Sequence, residues 1–329
     1  MSELRIGVDL GGTKTEAVVV RLAKNRREPD VVARKRVPTA PRADTGDDDA
    51  VRYQRILGDT RELVMSVARD AGIYPADLPP IGVGMPGSTT SFAPDGSPSP
   101  VPLVKNSNTT CLNGRPFHDD LARAIGRDVV FANDANCFAL AEAVWGAARD
   151  ARVSFGVIMG TGVGGGLVVR DGFGAEGTAR AWEGAQGIAG EWGHVTLDPH
   201  GGPPCYCGRR GCIETYLSGP AIEAAYAKRA GAKLSLREVS ALAEREDKTA
   251  LSVISERMDL FGRAIATVVN VVDPDVVVLG GGVSNVDALY TDGVAALGRW
   301  VFNDVLATRV IKHELGDSAG VLGAALLPG

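Results

Sequence analysis

No stretch of this chain approaches the roughly 18 consecutive apolar residues that would cross a bilayer. No basic segment followed by an apolar one opens it either, because Arg5 interrupts the first apolar run. A charge bias is missing too: 35 basic against 40 acidic side chains leave a net charge of −5, which argues against general nucleic-acid affinity and favours a small-molecule enzyme. No Gly-Lys-Ser/Thr stands at the spacing of a Walker A loop, which excludes that way of holding a nucleotide. With free cysteines and no secretion signal, the expected compartment is the cytoplasm. Composition is otherwise ordinary, 45% apolar and 23% charged, and 329 residues exceed one comfortable core, so two lobes are expected.

Of the five cysteines, three crowd together in Cys205-Tyr-Cys207-Gly-Arg-Arg-Gly-Cys212-Ile-Glu214, shortly after Glu191-Trp-Gly-His194. Three thiols and an imidazole make a closed four-ligand set for tetrahedral Zn2+, which would be structural because the protein fills every position. A disulfide is the weaker reading, since residues two apart seldom bring their Cα atoms into bridging range. Glu191 and Glu214 flank the set, so the metal is expected to fix acidic and imidazole groups that hold a polyol. Cys111 and Cys137 read as small buried apolar residues.

Strand patterning appears at Leu4–Asp9, returns at Thr15–Leu22 after Gly11-Gly12, and appears again at Val31–Val37. The arrangement is echoed by a strand at Ser154–Met159, a turn over Gly160–Gly166 and a return at Leu167–Val169. Between these lie a helix at about 50–71, a strand at 81–85, and a Pro/Ser/Gly-rich stretch from Pro86 to Pro102 expected to be a long loop and candidate lid. The run Asp44–Asp49 reads as solvated loop. Leu251, Ile254, Met258, Phe261, Ile265, Val268 and Val272 step by three and four, predicting one long helix with a buried stripe. It stops at Asp273-Pro274, before a strand at Asp275–Leu279. A terminal helix over Ser318–Leu327 is expected to pack on the first lobe. Alternation of strands and helices gives an α/β class.

Three glycine turns follow strands: Asp9-Leu-Gly11-Gly12-Thr13-Lys14, Gly160-Thr161-Gly162-Val-Gly164-Gly165-Gly166, and Gly280-Gly281-Gly282-Val-Ser284. Missing Cβ atoms let backbone N–H groups approach phosphate oxygens. The second turn matches the dinucleotide fingerprint, but that fingerprint must open a helix and here a strand follows, so the Rossmann reading fails. Asp9 is placed to order a Mg2+ water shell, or else simply forms the turn. In Phe131-Ala-Asn133-Asp134-Ala-Asn136, a strand at Val129–Ala132 meets a helix at Ala135–Val144. Asp134 is either an N-cap or the carboxylate that takes a proton from an attacking hydroxyl.

These motifs, in this order and nearly end to end, resemble the ROK family of repressors, open reading frames and sugar kinases. The resemblance implies an actin-like ATPase (ribonuclease H-like) α/β fold of two lobes with a cleft between them. It implies an N-terminal small lobe over 1–128, completed by a C-terminal helix at 314–329, and a large lobe over 129–313 that carries the zinc loop. ATP with Mg2+ would be held by Asp9, Gly11, Gly12, Thr13, Lys14, Thr161, Gly162, Gly164, Gly281 and Gly282. Asp134 would be the general base; Asn108, Asn133, Asp134, Glu191, His194 and Glu214 would bind sugar. Structural Zn2+ would sit on His194, Cys205, Cys207 and Cys212, with the other ring nitrogen of His194 left for the sugar.

Within the family, Lys105-Asn-Ser-Asn108, Leu112-Asn-Gly-Arg-Pro-Phe117 and Gly282-Val-Ser-Asn-Val-Asp287 resemble bacterial fructokinases that also accept mannose, implying a hexose 6-kinase acting on fructose. Cys111 departs from that pattern, which commonly has Trp before Leu-Asn-Gly. Glucokinase and N-acetylhexosamine kinase share several of these blocks and remain alternatives. A sugar-sensing regulator is the rival class; it would place a helix-turn-helix ahead of the first phosphate strand, and Asp9 stands too near Met1 for one. A homodimer is expected from the family alone.

Overall fold

A computed structural model of the chain describes residues 3–23, 28–39, 48–172 and 177–328. It divides into two compact units, one comprising residues 1–146, 181–189 and 317–329, the other 147–180 and 190–316. The division after residue 146 differs from the 128/129 boundary read from the sequence. The strand and helix after residue 128 pair and pack within the first sheet, which draws them into the first unit.

In chain order the first unit is built from β1 (Glu3–Leu10), β2 (Lys14–Leu22), β3 (Asp30–Pro38), α1 (Asp49–Asp70), β4 (Ile81–Met85), β5 (Ser88–Phe92), β6 (Pro98–Lys105), α2 (Phe117–Ile125), β7 (Val129–Asn133) and α3 (Asp134–Val144). The second follows with β8 (Val153–Met159), β9 (Val163–Arg170), β10 (Ala179–Ala181), α4 (Glu214–Leu217), α5 (Gly219–Ala230), α6 (Leu236–Glu244), α7 (Lys248–Val272), β11 (Val276–Gly280), α8 (Asp292–Trp300) and β12 (Arg309–Lys312). The chain ends on α9 (Ala319–Leu326), which returns to the first unit.

The two sheets share one plan. The first has the order β3-β2-β1-β4-β7, with β1 antiparallel to β2 and parallel to β4. The second has the order β10-β9-β8-β11-β12, with β8 antiparallel to β9 and parallel to β11. Each unit has its own core, around Ile6, Val8, Val64 and Phe117 in the first and Val157, Phe261, Ile265 and Leu279 in the second. The inner strands β4 and β11 are buried along their whole length, as strands covered on both faces must be.

Helix α9 lies against β1 and β4, as its apolar sequence required. Gly7 and Gly82 make this approach possible: a Cβ on either would collide with the carbonyl oxygen of Val321 or Ala324. Helix α7 starts on Asp247, whose side chain accepts from the Ala250 N–H at 2.8 Å, and stops at Asp273, whose φ of 49° no helix continues. Its stripe is buried from Ile254 to Val268, but Leu251 is exposed, because Ala250 and Val253 take the core-facing positions at the start of the helix.

The stretch expected as a loop from Pro86 to Pro102 is instead largely a hairpin of β5 and β6. Asp95 and Gly96 form its turn, with Gly96 at φ 85° and the Ser97 N–H donating to Asp95 at 2.9 Å. Pro98, Pro100 and Pro102 recur every second residue, so their missing N–H groups share one edge. Val104, in the same phase, donates to Arg115 O and not to β5, so the prolines cost the hairpin no pairing. The acidic run falls outside the described residues over 44–47; of its last members, Asp48 caps α1 by accepting from the Val51 N–H. Among the described residues no helix is long and apolar enough to cross a membrane.

Candidate active site and metal site

In the first unit, the turn between β1 and β2 is closed by the Gly11 N–H donating to Lys14 O at 3.0 Å. Thr39 braces it from β3's end: its hydroxyl donates to Gly11 O at 2.7 Å and its N–H to Thr13 O at 2.9 Å. The Oδ1 of Asn108 stands 3.8 Å from where a Gly12 Cβ would be, so this expected sugar ligand borders the first phosphate turn.

Strand β7 pairs in parallel with β4, with Met85 opposite Asn133, so the ends of both strands open at the same place. There Asn133 caps α3: Oδ1 accepts from the Ala135 N–H at 2.8 Å, and Nδ2 donates to Gly87 O at 2.9 Å. Asn133, not Asp134, is thus the N-cap, and Asp134 is the first residue of the helix. Burial holds the Asp134 carboxyl above the ordinary range against the Ala135 N–H, which lowers it. Asp9 is pushed up to about 7 by burial first, then by Asp134 and Glu16, with Lys14 and Arg36 opposing. Burial raises both carboxyl groups and Asp134 raises Asp9 further, a perturbation that suits a site of proton transfer.

In the second unit, Gly160 N–H donates to Gly162 O at 2.9 Å and closes the turn between β8 and β9. The turn is shorter than expected. Gly164 belongs to β9, paired with Ile158, leaving Thr161 exposed at the tip with Gly162 beside it. The Val163 N–H donates to Glu214 at 2.9 Å, which ties an expected sugar ligand to this phosphate turn. After β11, Gly281 adopts φ 78° and packs so closely on the Met159 carbonyl that no side chain fits; Gly282 follows it, exposed. The second and third turns are therefore neighbours.

The cysteine loop is pinned by short backbone pairings. Leu197 N–H donates to Gly211 O at 2.8 Å and Ile213 N–H to Val195 O at 2.9 Å, which sets the end of the Glu191–His194 3₁₀ turn beside Cys212. Cys205 N–H donates to Arg209 O at 2.8 Å, folding the knuckle. One ligand atom from each of His194, Cys205, Cys207 and Cys212 lies within 4.8 Å of all the others. Cys205 Sγ is 3.6 Å from His194 Nδ1, and Cys207 Sγ is 3.6 Å from Cys212 Sγ. Zinc–sulfur bonds of about 2.3 Å give a tetrahedral edge of about 3.8 Å, so the donor set fits one tetrahedral ion.

Because Nδ1 faces the thiols, Nε2 is the nitrogen left over, and here it pairs with the Tyr206 hydroxyl at 2.9 Å. The two rings meet edge to face at 5.1 Å. Most of Tyr206 is exposed, yet partial burial of its hydroxyl, followed by the carboxylates of Glu214 and Glu191, pushes it up to about 12.

The structure thus gathers the expected residues into two sets. Asp9, the first phosphate turn, Asn108, Asn133 and Asp134 lie in the first unit; the other two turns, Glu191, Glu214 and the metal-ligand set lie in the second. Sequence reasoning missed Tyr206, although its place between two ligand cysteines was the available signal. Cys111 and Cys137 are buried, as expected of small core residues.

A pair of like-built α/β units with glycine turns at strand ends defines the class, an actin-like ATPase fold. A ROK hexokinase from Thermus thermophilus superposes with a TM-score of 0.77 at 30% identity, covering 99% of this chain and 97% of that one. A ROK family glucokinase from Streptomyces griseus, solved with glucose and AMPPNP, gives 0.72 at 26% identity, covering 98% of each chain. An N-acetyl-D-glucosamine kinase from Yersinia pseudotuberculosis is 34% identical over 332 residues, 98% of this chain and 97% of that protein. The ROK family model matches residues 5–328, and the chain belongs to the ROK family.

Proposed function

We propose that this chain is an ATP-dependent hexose kinase that phosphorylates the sugar 6-hydroxyl, with Asp134 as general base. The observation that carries the reading is that Asn133 is the N-cap, so that Asp134, whose Oδ1 also accepts from the Ala135 N–H at 2.8 Å, stands as the first residue of α3 at the carboxyl end of β7. As O6 attacks the γ-phosphorus of ATP, the O6–P bond forms, the bond from phosphorus to the bridging oxygen breaks, and ADP leaves. Asp134 takes the O6 proton, and surroundings that raise its affinity for a proton favour that transfer.

Mg2+ bound with ATP would supply charge neutralisation at the phosphates, with Asp9 as the residue to hold it. Lys14 and the N–H groups of Gly11, Gly12 and Thr13 would meet phosphate oxygens, as would Thr161, Gly162 and Gly164; Gly281 and Gly282 would border the nucleoside. Asn108, Asn133, Glu191, His194 and Glu214 would hold the sugar hydroxyls. Zn2+ would be held by His194, Cys205, Cys207 and Cys212 and would fix the ring of His194 without acting on substrate.

The substrate we favour is N-acetyl-D-glucosamine, which the name of the Yersinia relative carries, in place of the fructose read from the segments around 105–117 and 282–287. A homodimer in the cytoplasm completes the proposal. The test is ATP turnover by the purified chain with N-acetylglucosamine, glucose, mannose and fructose. The highest kcat/KM is expected on N-acetylglucosamine; ADP release that no sugar stimulates would end the kinase reading.

A further inference from the structure

Four large apolar side chains lie bare in one part of the second unit: Val271 is 85% exposed, Trp300 46%, Phe302 98% and Val305 72%. The segment that carries three of them is firmly held. Asn270, near the end of α7, grips the chain as it leaves α8: its Nδ2 donates to Trp300 O at 3.1 Å and its Oδ1 accepts from the Phe302 N–H at 2.8 Å. About two turns earlier on α7, Arg263 donates to Leu197 O at 3.2 Å and sets its guanidinium 5.4 Å from the centre of the Trp300 ring. About one turn before that, Asp259 accepts from Arg299 at 2.6 Å. Asp259, Arg263 and Asn270 recur at helical spacing, so α7 and the end of α8 present one continuous strip. A contiguous apolar patch marks an interaction surface, and a backbone fixed in advance spares the complex the loss of ordering entropy.

The charges around the strip select the partner. Arg263 and Arg299 lie toward the middle of α7, while Asp273 ends that helix and Asp304 follows Phe302. A polyanion or an anionic membrane would meet the two aspartates, and a strongly basic partner the two arginines. A second copy turned about a two-fold axis near Asn270 runs antiparallel to the first, which sets the basic part of each strip against the acidic end of the other, with Phe302 and Val271 near the axis. Exposed aromatic and arginine side chains are also the groups that dominate the centres of protein interfaces. From Asp259 to Asp273 the strip runs about 21 Å along the helix, a length that suits the roughly 800 Å2 per partner of a standard interface. Deepening the homodimer reading above, on which it rests, we propose that two copies of this chain pair through this strip, with Phe302, Trp300 and Val271 as its apolar centre.

The experiment is sedimentation velocity of the purified full chain over a range of concentrations, for the wild type, Phe302→Asp, Val271→Glu and a control, Phe92→Asp, which alters an exposed phenylalanine of the first unit. Far-UV circular dichroism checks that each is folded, and two variants on different elements guard against failure of one. The wild type and the control are expected at twice the mass of one chain. Phe302→Asp and Val271→Glu are expected as single chains, with the dimer dissociation constant raised roughly 100-fold or more, as for loss of a central anchor. A dimer that persists in both, or one that Phe92→Asp also breaks, overturns the assignment of this strip while the homodimer reading stands. A wild type that sediments as a single chain at every concentration overturns both, and co-sedimentation of that single chain with anionic vesicles would make the strip a membrane surface instead.

Discussion

The strand–helix junction at Asp134 and the cysteine knuckle at His194 hold their functional groups by different means. Asp134 follows a strand paired to β4 and heads a helix almost wholly buried, from Ala135 to Ala143. Regular hydrogen bonding and core packing fix its position without help. His194 ends a single 3₁₀ turn, and the loop that faces it is ordered by isolated bridges at Thr196–Cys212 and Pro204–Arg210 and a few turn hydrogen bonds, not by a helix or sheet. Cys207 is exposed. A loop with so little core needs another source of order, and a four-ligand metal site is one that a short segment can supply. Groups set on regular elements tolerate loss of a neighbour; groups set on the knuckle should not.

Cys212→Ser is the sharpest way to break that contrast, because Cys212 is fully buried at the centre of the set. Metal content should drop from about one ion per chain to near zero, and KM for the sugar should rise by roughly 10- to 100-fold or more. Atomic absorption with steady-state kinetics decides it. Full activity in a metal-free variant would mean that the knuckle holds itself.

A smaller effect is expected on the junction side, at Asp9. Its pKa rises from 3.8 to about 7 in the folded chain, so the folded state keeps a proton that the unfolded state releases in that interval. The contribution of Asp9 to the stability of the ligand-free protein is therefore fully present below the lower value and is lost as pH rises through the window, by up to roughly 4 kcal/mol. Asp9→Asn should flatten the pH dependence of Tm, raise Tm at pH 8, and abolish turnover. A variant whose Tm keeps the wild-type slope would show that Asp9 is not the group responsible.

The smallest effect concerns Tyr206. Its hydroxyl occupies His194 Nε2, the position a sugar hydroxyl would need, so binding has to displace an exposed hydrogen bond. Tyr206→Phe should lower KM roughly three- to tenfold with kcat and metal content preserved. A raised KM would instead make the tyrosine a sugar contact.

Much of this was legible in the sequence for physical reasons. The β1–β2 and β8–β9 hairpins announce themselves through alternation broken by glycine, and the α7 stripe through its period. The metal set is local: four residues within one short segment define their own geometry. What escaped was set by tertiary context. The 86–102 stretch looked like a loop because proline and serine dominate it, yet its prolines occupy only the unpaired edge of a hairpin. The unit boundary moved because β7 pairs with a strand far earlier in the chain. That Asn133 and not Asp134 caps α3 depends on backbone geometry at one residue.

The central claim is that Asp134 accepts the proton of a bound sugar, and it is tested by measuring sugar affinity and turnover together in Asp134→Asn. Calorimetry with N-acetylglucosamine should give a dissociation constant within about threefold of wild type, while kcat falls by roughly 10²- to 10⁴-fold. Turnover close to wild type in that variant would contradict the account.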